Sequence, residues 1–344
     1  MTHPEKLAAI RELMKKDGVA AYIIPSADPH ISEYLPDFYK SIPFVTGFTG
    51  SVSTVVITPD FAGLWADSRY FVQAEEQLKN SGFELVKLKA QGVAEYIDWL
   101  GEKLPTGSKI AFDEKTVSVL LGLQLEKQLA FNNVSFEHQD YVGQIWKDRP
   151  ALPAEPAFLL ADEVVGQSAP SKLEAIKASL KKQRVSYHLV SSLDDMAWIF
   201  NLRGQDVGFN PVVLSFALIA EDKVKIYLDQ HKLTASDLAT LAAQNVEVVG
   251  YDTLASDLQQ IPSDSSILID PKRNCLFMYK QVPAGVLKVL ETNPSTYLKA
   301  IKNEVEIANT RKTMIKDGAA MTKFFKWVKE NVDKVEITEI SAAE

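Results

Sequence analysis

Apolar and polar positions along this chain follow a pattern that occurs twice. From Lys6 to Ser26 the sequence KLAAIRELMKKDGVAAYIIPS spaces Leu7, Ile10, Leu13 and Met14 as one face of a helix, then runs into the apolar stretch Val19 to Ile24. A short unbroken apolar run bounded by Gly18 and Pro25 reads as a buried strand. At an offset of 166 residues, Lys172 to Ser192 reads KLEAIKASLKKQRVSYHLVSS, with 8 of 21 positions identical. Two copies of one α/β module are predicted, and a count of two disfavours a solenoid.

Thr2, Pro4 and Glu5 supply the helix-start chemistry of the first module. After an irregular stretch from Pro25 to Pro43, the β-rich runs Ser51 to Thr58 and Ala62 to Ala66 flank Pro59-Asp60 and predict a hairpin. A helix from Ser68 to Leu78, a strand from Glu84 to Leu88 and further alternation through Phe136 complete a first domain, residues 1–147. Residues 148–170 carry four prolines, whose fixed φ and missing N–H argue against a continuous helix or central strand, so they are read as the linker. The second domain, 171–293, is predicted to hold a strand Val185 to Val190 and a hairpin of Val212 to Ile219 with Val224 to Leu228. The fold class is therefore α/β, two tandem domains each with a mixed sheet and flanking helices.

Residues 294–344 form a third segment. Val305, Ala308, Met314 or Ile315, Ala319, Phe324, Phe325 and Val328 mark an apolar stripe on a long helix from Asn303 to Asn331, and that stripe needs a partner. Ser341-x-x-Glu344 has the capping-box pattern of a helix start with no helix behind it, which leads us to expect that the chain has been cut.

Composition narrows the class. The formal charge of −8 disfavours general binding to a nucleic-acid backbone, which requires a basic surface. No apolar run approaches the roughly 18 residues of a membrane span, and the polar N-terminus is unlike a signal peptide, so a cytoplasmic protein is expected. The one cysteine, Cys275, rules out an internal disulfide or a cysteine metal cluster.

Chemistry is sparse. His3, His30, His138, His188 and His231 are scattered, no two closer than 27 residues, and each reads as structural or solvated. Gly47-Phe-Thr-Gly50 precedes a strand instead of opening a helix, so a turn is preferred to a phosphate loop. Adjacent acids such as Asp194-Asp195 do not converge on a metal without partners and read as capping or solvated. Trp65-Ala-Asp67-Ser-Arg69-Tyr70 places a carboxylate, a guanidinium and a phenol at a strand exit. An N-cap with a structural ion pair is preferred there to ligand contact.

Taken in order, GFTGS at 47–51, LWADSRYFVQA at 64–74, NLRG and Asp206 at 201–206, FNPV at 209–212, and the terminal segments from Lys299, Lys316 and Glu339 resemble the three-domain Xaa-Pro aminopeptidases, or aminopeptidase P, of the creatinase-fold metallopeptidases. The family often has Ser-Ala-Gly where this chain has Ser51-Val52-Ser53, and Asp-Gly-Arg in place of Asp67-Ser68-Arg69. The resemblance implies two creatinase-like N-terminal domains followed by the truncated helical start of a pita-bread catalytic domain. It implies two divalent ions, typically Mn²⁺, in the complete protein, held by ligands beyond Glu344, and no metal and no catalytic residue in this chain. It further implies short peptides with proline second as substrates, restricted access to the cleft, and a homodimer when complete. His30, Asp67, Arg69 and Tyr70 are the candidates for facing that cleft. The alternative is a free-standing, non-catalytic peptide- or protein-binding homologue; a creatinase or prolidase chemistry is disfavoured because those proteins resemble the family with a single N-terminal domain.

Overall fold

The computed structural model describes residues 1–343. Its first sheet has strands β1 (Ala21–Pro25), β2 (Thr54–Ile57), β3 (Ala62–Ala66), β4 (Glu84–Lys87), β5 (Lys109–Phe112) and β6 (Ser135–His138), in the order β4-β3-β2-β1-β5-β6. Only β2 runs antiparallel to the others. Further along the chain come β7 (Phe158–Leu159), β8 (Tyr187–Val190), β9 (Leu202–Arg203), β10 (Phe216–Ala220), β11 (Val224–Tyr227), β12 (Val246–Val249), β13 (Ser266–Ile269) and β14 (Leu287–Leu290). The second sheet, β12-β11-β10-β8-β13-β14, repeats the first strand for strand and direction for direction, with β10 as its antiparallel member. β7 and β9 form a separate antiparallel pair.

Both faces of each sheet are covered, and alternation along the strands assigns each side chain to a face. Tyr22 and Ile24 join Leu7, Ile10 and Met14 of helix His3–Asp17, while Ala21 and Ile23 join Ile97, Leu100 and Leu125 on the other side. In the second domain Val190 meets Leu173, Ile176 and Leu180 of helix Ala169–Gln183, and Leu189 meets Leu254 and Leu258. Full burial of each such side chain contributes about 1.5–3 kcal/mol. Thr2 and Glu5 form a capping box at the first helix, which ends on Gly18 in the left-handed conformation.

The duplication extends to a lysine, half-buried in the first copy and buried in the second. Lys6 Nζ donates to the Phe44 carbonyl at 2.7 Å and lies over the Phe44 ring, whereas its counterpart Lys172 donates to the Trp198 carbonyl at 2.8 Å and lies over the Trp198 ring. Lys172 also donates to Asn201 Oδ1, and burial lowers its pKa to about 8.

The two domains meet through equivalent segments. Residues 113–118 follow β5, residues 270–275 follow β13, and Ser118 pairs with Cys275 in an isolated bridge. The backbone bonds come in reciprocal pairs: Val119 N–H to Asn274 O (2.9 Å) with Leu276 N–H to Val117 O (2.7 Å), and Leu120 N–H to Pro271 O (2.8 Å) with Phe277 N–H to Glu114 O (3.0 Å). Val119 packs into the core of the second domain and Leu276 into that of the first. The seam is thus an approximate two-fold within one chain, with the same residue of each module exchanged across it.

Several local expectations are corrected. The hairpin strand starts at Phe216, not Val212, because Val212 O and Leu214 N–H are bonded to Asp206 rather than to a strand. The helix expected from Ser68 opens as a 3₁₀ turn, Ser68–Tyr70, before the α-helix Phe71–Gln77. Asp195 is neither a cap nor solvated: it is 1% exposed and accepts from Asn293 Nδ2, Thr296 Oγ1 and Lys299 Nζ, which anchors helix Pro294–Ala300. The long helix is Glu304–Asn331, capped by Asn303. It touches the body through Asn303 Nδ2 to Val165 O and Asn309 Nδ2 to Val164 O, and from Ala308 onward it is largely exposed. Ser341 is not a cap but the third residue of a short helix, its N–H bonded to Thr338 Oγ1; Glu344, the other member of that capping pattern, lies outside the described residues.

A Cβ at Gly122 would sit 2.8 Å from Leu276 Cδ2, so this helical glycine makes room for the exchanged leucine. Gly122→Leu is expected to lower stability by about 1–3 kcal/mol by overpacking the seam, read as a shift in the urea midpoint. His188, fully buried in β8, donates from Nδ1 to Leu268 O while Nε2 has no partner, and burial lowers its pKa to about 4. Between that value and the ordinary 6.5 the unfolded chain binds more protons, so stability falls as pH drops through this window, by up to about 3 kcal/mol. His188→Gln, neutral throughout, should lose that slope in urea melts at pH 7 and pH 4.5.

Candidate substrate-binding edge

Because five of six strands in each sheet run parallel, the loops after β1, β3, β4, β5 and β6 leave from one edge of the first sheet, and their counterparts leave from one edge of the second. Crevices outside the carboxyl ends of strands are where open α/β sheets bind ligands. Asp67 lies immediately after β3 and is 6% exposed. Its Oδ1 accepts from Arg69 N–H, which caps the 3₁₀ turn, and the Arg69 guanidinium closes a bidentate pair through Nε (2.9 Å) and Nη2 (2.8 Å). The bonds from Arg69 hold the Asp67 carboxyl below its usual range, and Arg69 in turn is raised by Asp67. Asp67 is therefore an N-cap in a structural ion pair, while the Arg69 side chain stays 51% exposed with Nη1 uncommitted to Asp67.

Tyr70 hydroxyl bonds Ser51 Oγ at 2.6 Å and its ring meets Phe48 edge-on. The preceding turn needs both glycines: Gly47 has φ +83°, and a Cβ on Gly50 would overlap Phe48 and Tyr70. Ser53 and Ser68, which replace family glycines, have no positive φ, so serine fits there. Asp67 and Arg69 line a crevice of about 510 Å³ with Glu33, Trp65, Tyr96 and Gln124.

His30 is elsewhere. It is 1% exposed, sits between the domains, and is stacked on Phe216 with ring centroids 4.2 Å apart. Its Nδ1 bonds the Ser191 carbonyl and its Nε2 the Tyr251 hydroxyl, both at 2.8 Å. A carbonyl accepts only, so the proton is on Nδ1 and Nε2 accepts from Tyr251. The structure thus brings Asp67, Arg69 and Tyr70 together on the open edge and places His30 in the seam.

The second domain repeats the motif. Asp229 follows β11 as Asp67 follows β3, and its Oδ1 accepts from His231 N–H to cap the turn Gln230–Lys232. A crevice of about 540 Å³ there is lined by Asp229, His231, Lys232, Tyr251 and Asp252. Lys232 is buried against Asp206 at 2.6 Å. Between the domains, Phe209 is fully exposed with φ +61°, an uncommon backbone for a bulky residue, beside a groove of about 280 Å³ shared with Tyr34, Tyr39, Ile42 and Pro43. Glu33 and Tyr34 carried no motif signal; Phe209 was inside one, but only the tertiary structure shows that it is uncovered.

Among the described residues no group of three or more His, Cys, Asp or Glu is placed to hold a metal ion, so no step is assigned to a metal on these side chains. Cys275 is buried, and burial pushes its thiol up to about 12. No described helix is long and apolar enough to cross a membrane. What the open edge offers is a half-exposed guanidinium, hydroxyls and aromatic surface, suited to recognition.

Residues 6–144 match the family described as the Creatinase/Prolidase N-terminal domain, and residues 148–306 match a second family of the same description. The probable Xaa-Pro aminopeptidase P of Sordaria macrospora is 32% identical over 99% of this chain and 58% of its own length. That of Botryotinia fuckeliana is 34% identical over 99% of this chain and 54% of its length. The crystal structure of an X-prolyl aminopeptidase from Caenorhabditis elegans, described as a cytosolic enzyme with a di-nuclear active site, superposes with a TM-score of 0.93 at 30% identity, over 100% of this chain and 58% of that one. The chain therefore spans between half and three fifths of the relatives it matches. With the same six-strand sheet built twice and both halves matched in order, the chain belongs to the creatinase/prolidase N-terminal domain family and corresponds to the N-terminal region of Xaa-Pro aminopeptidase P.

Proposed function

We propose that these residues serve as the non-catalytic front part of a metal-dependent Xaa-Pro aminopeptidase, in which residues 1–147 and 171–293 restrict access to a cleft completed by a further domain. The observation that carries the reading is the match over the whole of this chain to 58% of the nematode enzyme. In this reading residues 148–170 connect the domains and 294–344 lead into the catalytic part. The two divalent ions, Mn²⁺ by family resemblance, would belong to that part and would supply water activation for cleavage of the bond before proline. Asp67, Arg69 and Tyr70 face the cleft, and His30 fixes the domain arrangement behind it. Short peptides with proline second are the substrates, the complete enzyme is a cytoplasmic homodimer, and the domains support its contacts.

The exposed helix supports the same reading. Met314, Ile315, Met321 and Phe325 are 42–75% exposed, an apolar strip that water disfavours. The free-standing alternative calls for this helix to be packed on the two domains, and its contacts stop near Asn309.

The purified chain is expected to release no residue from an Xaa-Pro peptide in the presence of Mn²⁺ and to show no tight Mn²⁺ binding by calorimetry; turnover by these 344 residues would sink the proposal. In an enzyme that contains this chain and a catalytic domain, Arg69→Ala should lower kcat/KM for Xaa-Pro peptides about tenfold or more, since loss of a charge-assisted contact is worth about 1.5–3 kcal/mol. For the isolated chain, Phe325→Asp should reduce self-association measured by analytical ultracentrifugation, and an unchanged sedimentation profile would remove the exposed strip as its cause.

A further inference from the structure

The seam holds a buried histidine whose hydrogen bond to Tyr251 takes its direction from the ring's being neutral. His30 reaches across from the loop after β1 to two elements of the second domain, 161 and 221 residues away in sequence: the end of β8 through Ser191 O, and the turn Tyr251–Thr253 through the Tyr251 hydroxyl. The loop that carries it is fixed by Asp28, fully buried, whose Oδ1 accepts from His30 N–H (2.9 Å) and Ser32 N–H (3.0 Å) and whose Oδ2 has no partner. Ser191 is itself pinned, its hydroxyl donating to Arg273 O.

We propose that His30 is an acid-sensitive clamp between the loop after β1 and the second domain: with its proton on Nδ1 alone it holds that loop against Ser191 and Tyr251, and uptake of a proton from solvent on Nε2 loosens it. The neutral ring accepts the Tyr251 O–H. Once Nε2 carries a proton it becomes a donor, so Tyr251 must turn its hydroxyl hydrogen away and accept instead, while the cation sits on a ring that is 1% exposed. Tyr39 stands behind Tyr251, Asp206 lies on the second-domain side, and a cavity of about 180 Å³ beside the ring is lined by Glu33, Asp194 and Arg273. Burial lowers the His30 pKa from its ordinary 6.5, outweighing Asp28, the bond to the Ser191 carbonyl and Asp206, which all favour the cation. The folded state then binds fewer protons than the open state just below that value, so the clamp is intact at neutral pH and weakens as pH falls from 6.5. Release of such a clamp loosens the loop after β1 against the turn Tyr251–Thr253 while the backbone bonds of residues 117–120 and 274–277 hold, which changes the groove bounded by Phe209 and Tyr34.

Hydrogen–deuterium exchange of the whole chain, corrected for the intrinsic pH dependence, tests this. From pH 7.5 to pH 5, exchange in residues 28–34, 191–194 and 250–253 should rise severalfold, while β13 and β1 stay protected. His30→Gln keeps a donor and an acceptor but does not titrate, and should hold the rise to about twofold or less. Tyr251→Phe removes the hydroxyl that reserves Nε2 and should move the rise to higher pH, which keeps the test available if the glutamine variant does not fold. The clamp is wrong if the wild-type chain shows no rise, if His30→Gln shows the wild-type rise, or if β13 loses protection together with the seam. That last outcome would place the acid response in the core around His188.

Discussion

The structure depends on the reciprocal seam in which residues 117–120 and 274–277 exchange backbone hydrogen bonds and side chains. Each module contributes the same segment, the one that leaves its sheet after β5 or β13 and starts a helix. Val119 completes the core of the second domain and Leu276 that of the first, so neither core is closed without the other domain. A duplicated module here meets its copy with a self-complementary surface, because the backbone N–H groups of Val119, Leu120, Leu276 and Phe277 pair reciprocally across it. Gly122 is where that symmetry costs a side chain, since the helix it belongs to lies directly against Leu276.

Pairing through these segments has a consequence for chemistry. They lie on the carboxyl edges of both sheets, so the seam occupies part of the surface that open α/β domains ordinarily offer to ligands. What remains open is the outer part of each edge, after β3 in the first domain and after β11 in the second. The two copies have diverged there. Arg69 folds back on Asp67 and leaves one nitrogen facing outward, whereas Lys232 has turned inward to the buried Asp206 and Asp229 stands exposed. The equivalent turn leaves a half-exposed guanidinium in one domain and holds a buried ion pair in the other. In the inner part of the edge His30 is buried and bonded to both Ser191 and Tyr251.

Much of this fold is written locally. The spacing of Leu7, Ile10 and Met14, the apolar strand behind it, and the copy at Leu173, Ile176 and Leu180 place helices and core strands directly, because periodicity reports which face meets the interior. The Asp67 cap and the long helix after Asn303 were legible for the same reason: capping and amphipathic faces involve residues three or four apart. Other features carried no local mark. Asp194 and Asp195 are adjacent and chemically alike, yet only Asp195 is sealed beneath Asn293 and Lys299. Val212 to Ser215 has the composition of a strand, but Asp206 claims its backbone.

By itself, then, the sequence determined two copies of an α/β module, the elements within each, the motifs that tie them to the aminopeptidase P N-terminal region, and an apolar helix beyond them. Only the tertiary structure decided that the copies pair edge to edge, that His30 belongs to the seam rather than to the open surface, and that Phe209 stands uncovered. The physical reason is range. Helix, strand and cap arise from interactions between near neighbours, which leave periodic traces in the chain, whereas a bond between His30 and Tyr251 is fixed by how two finished domains fit together.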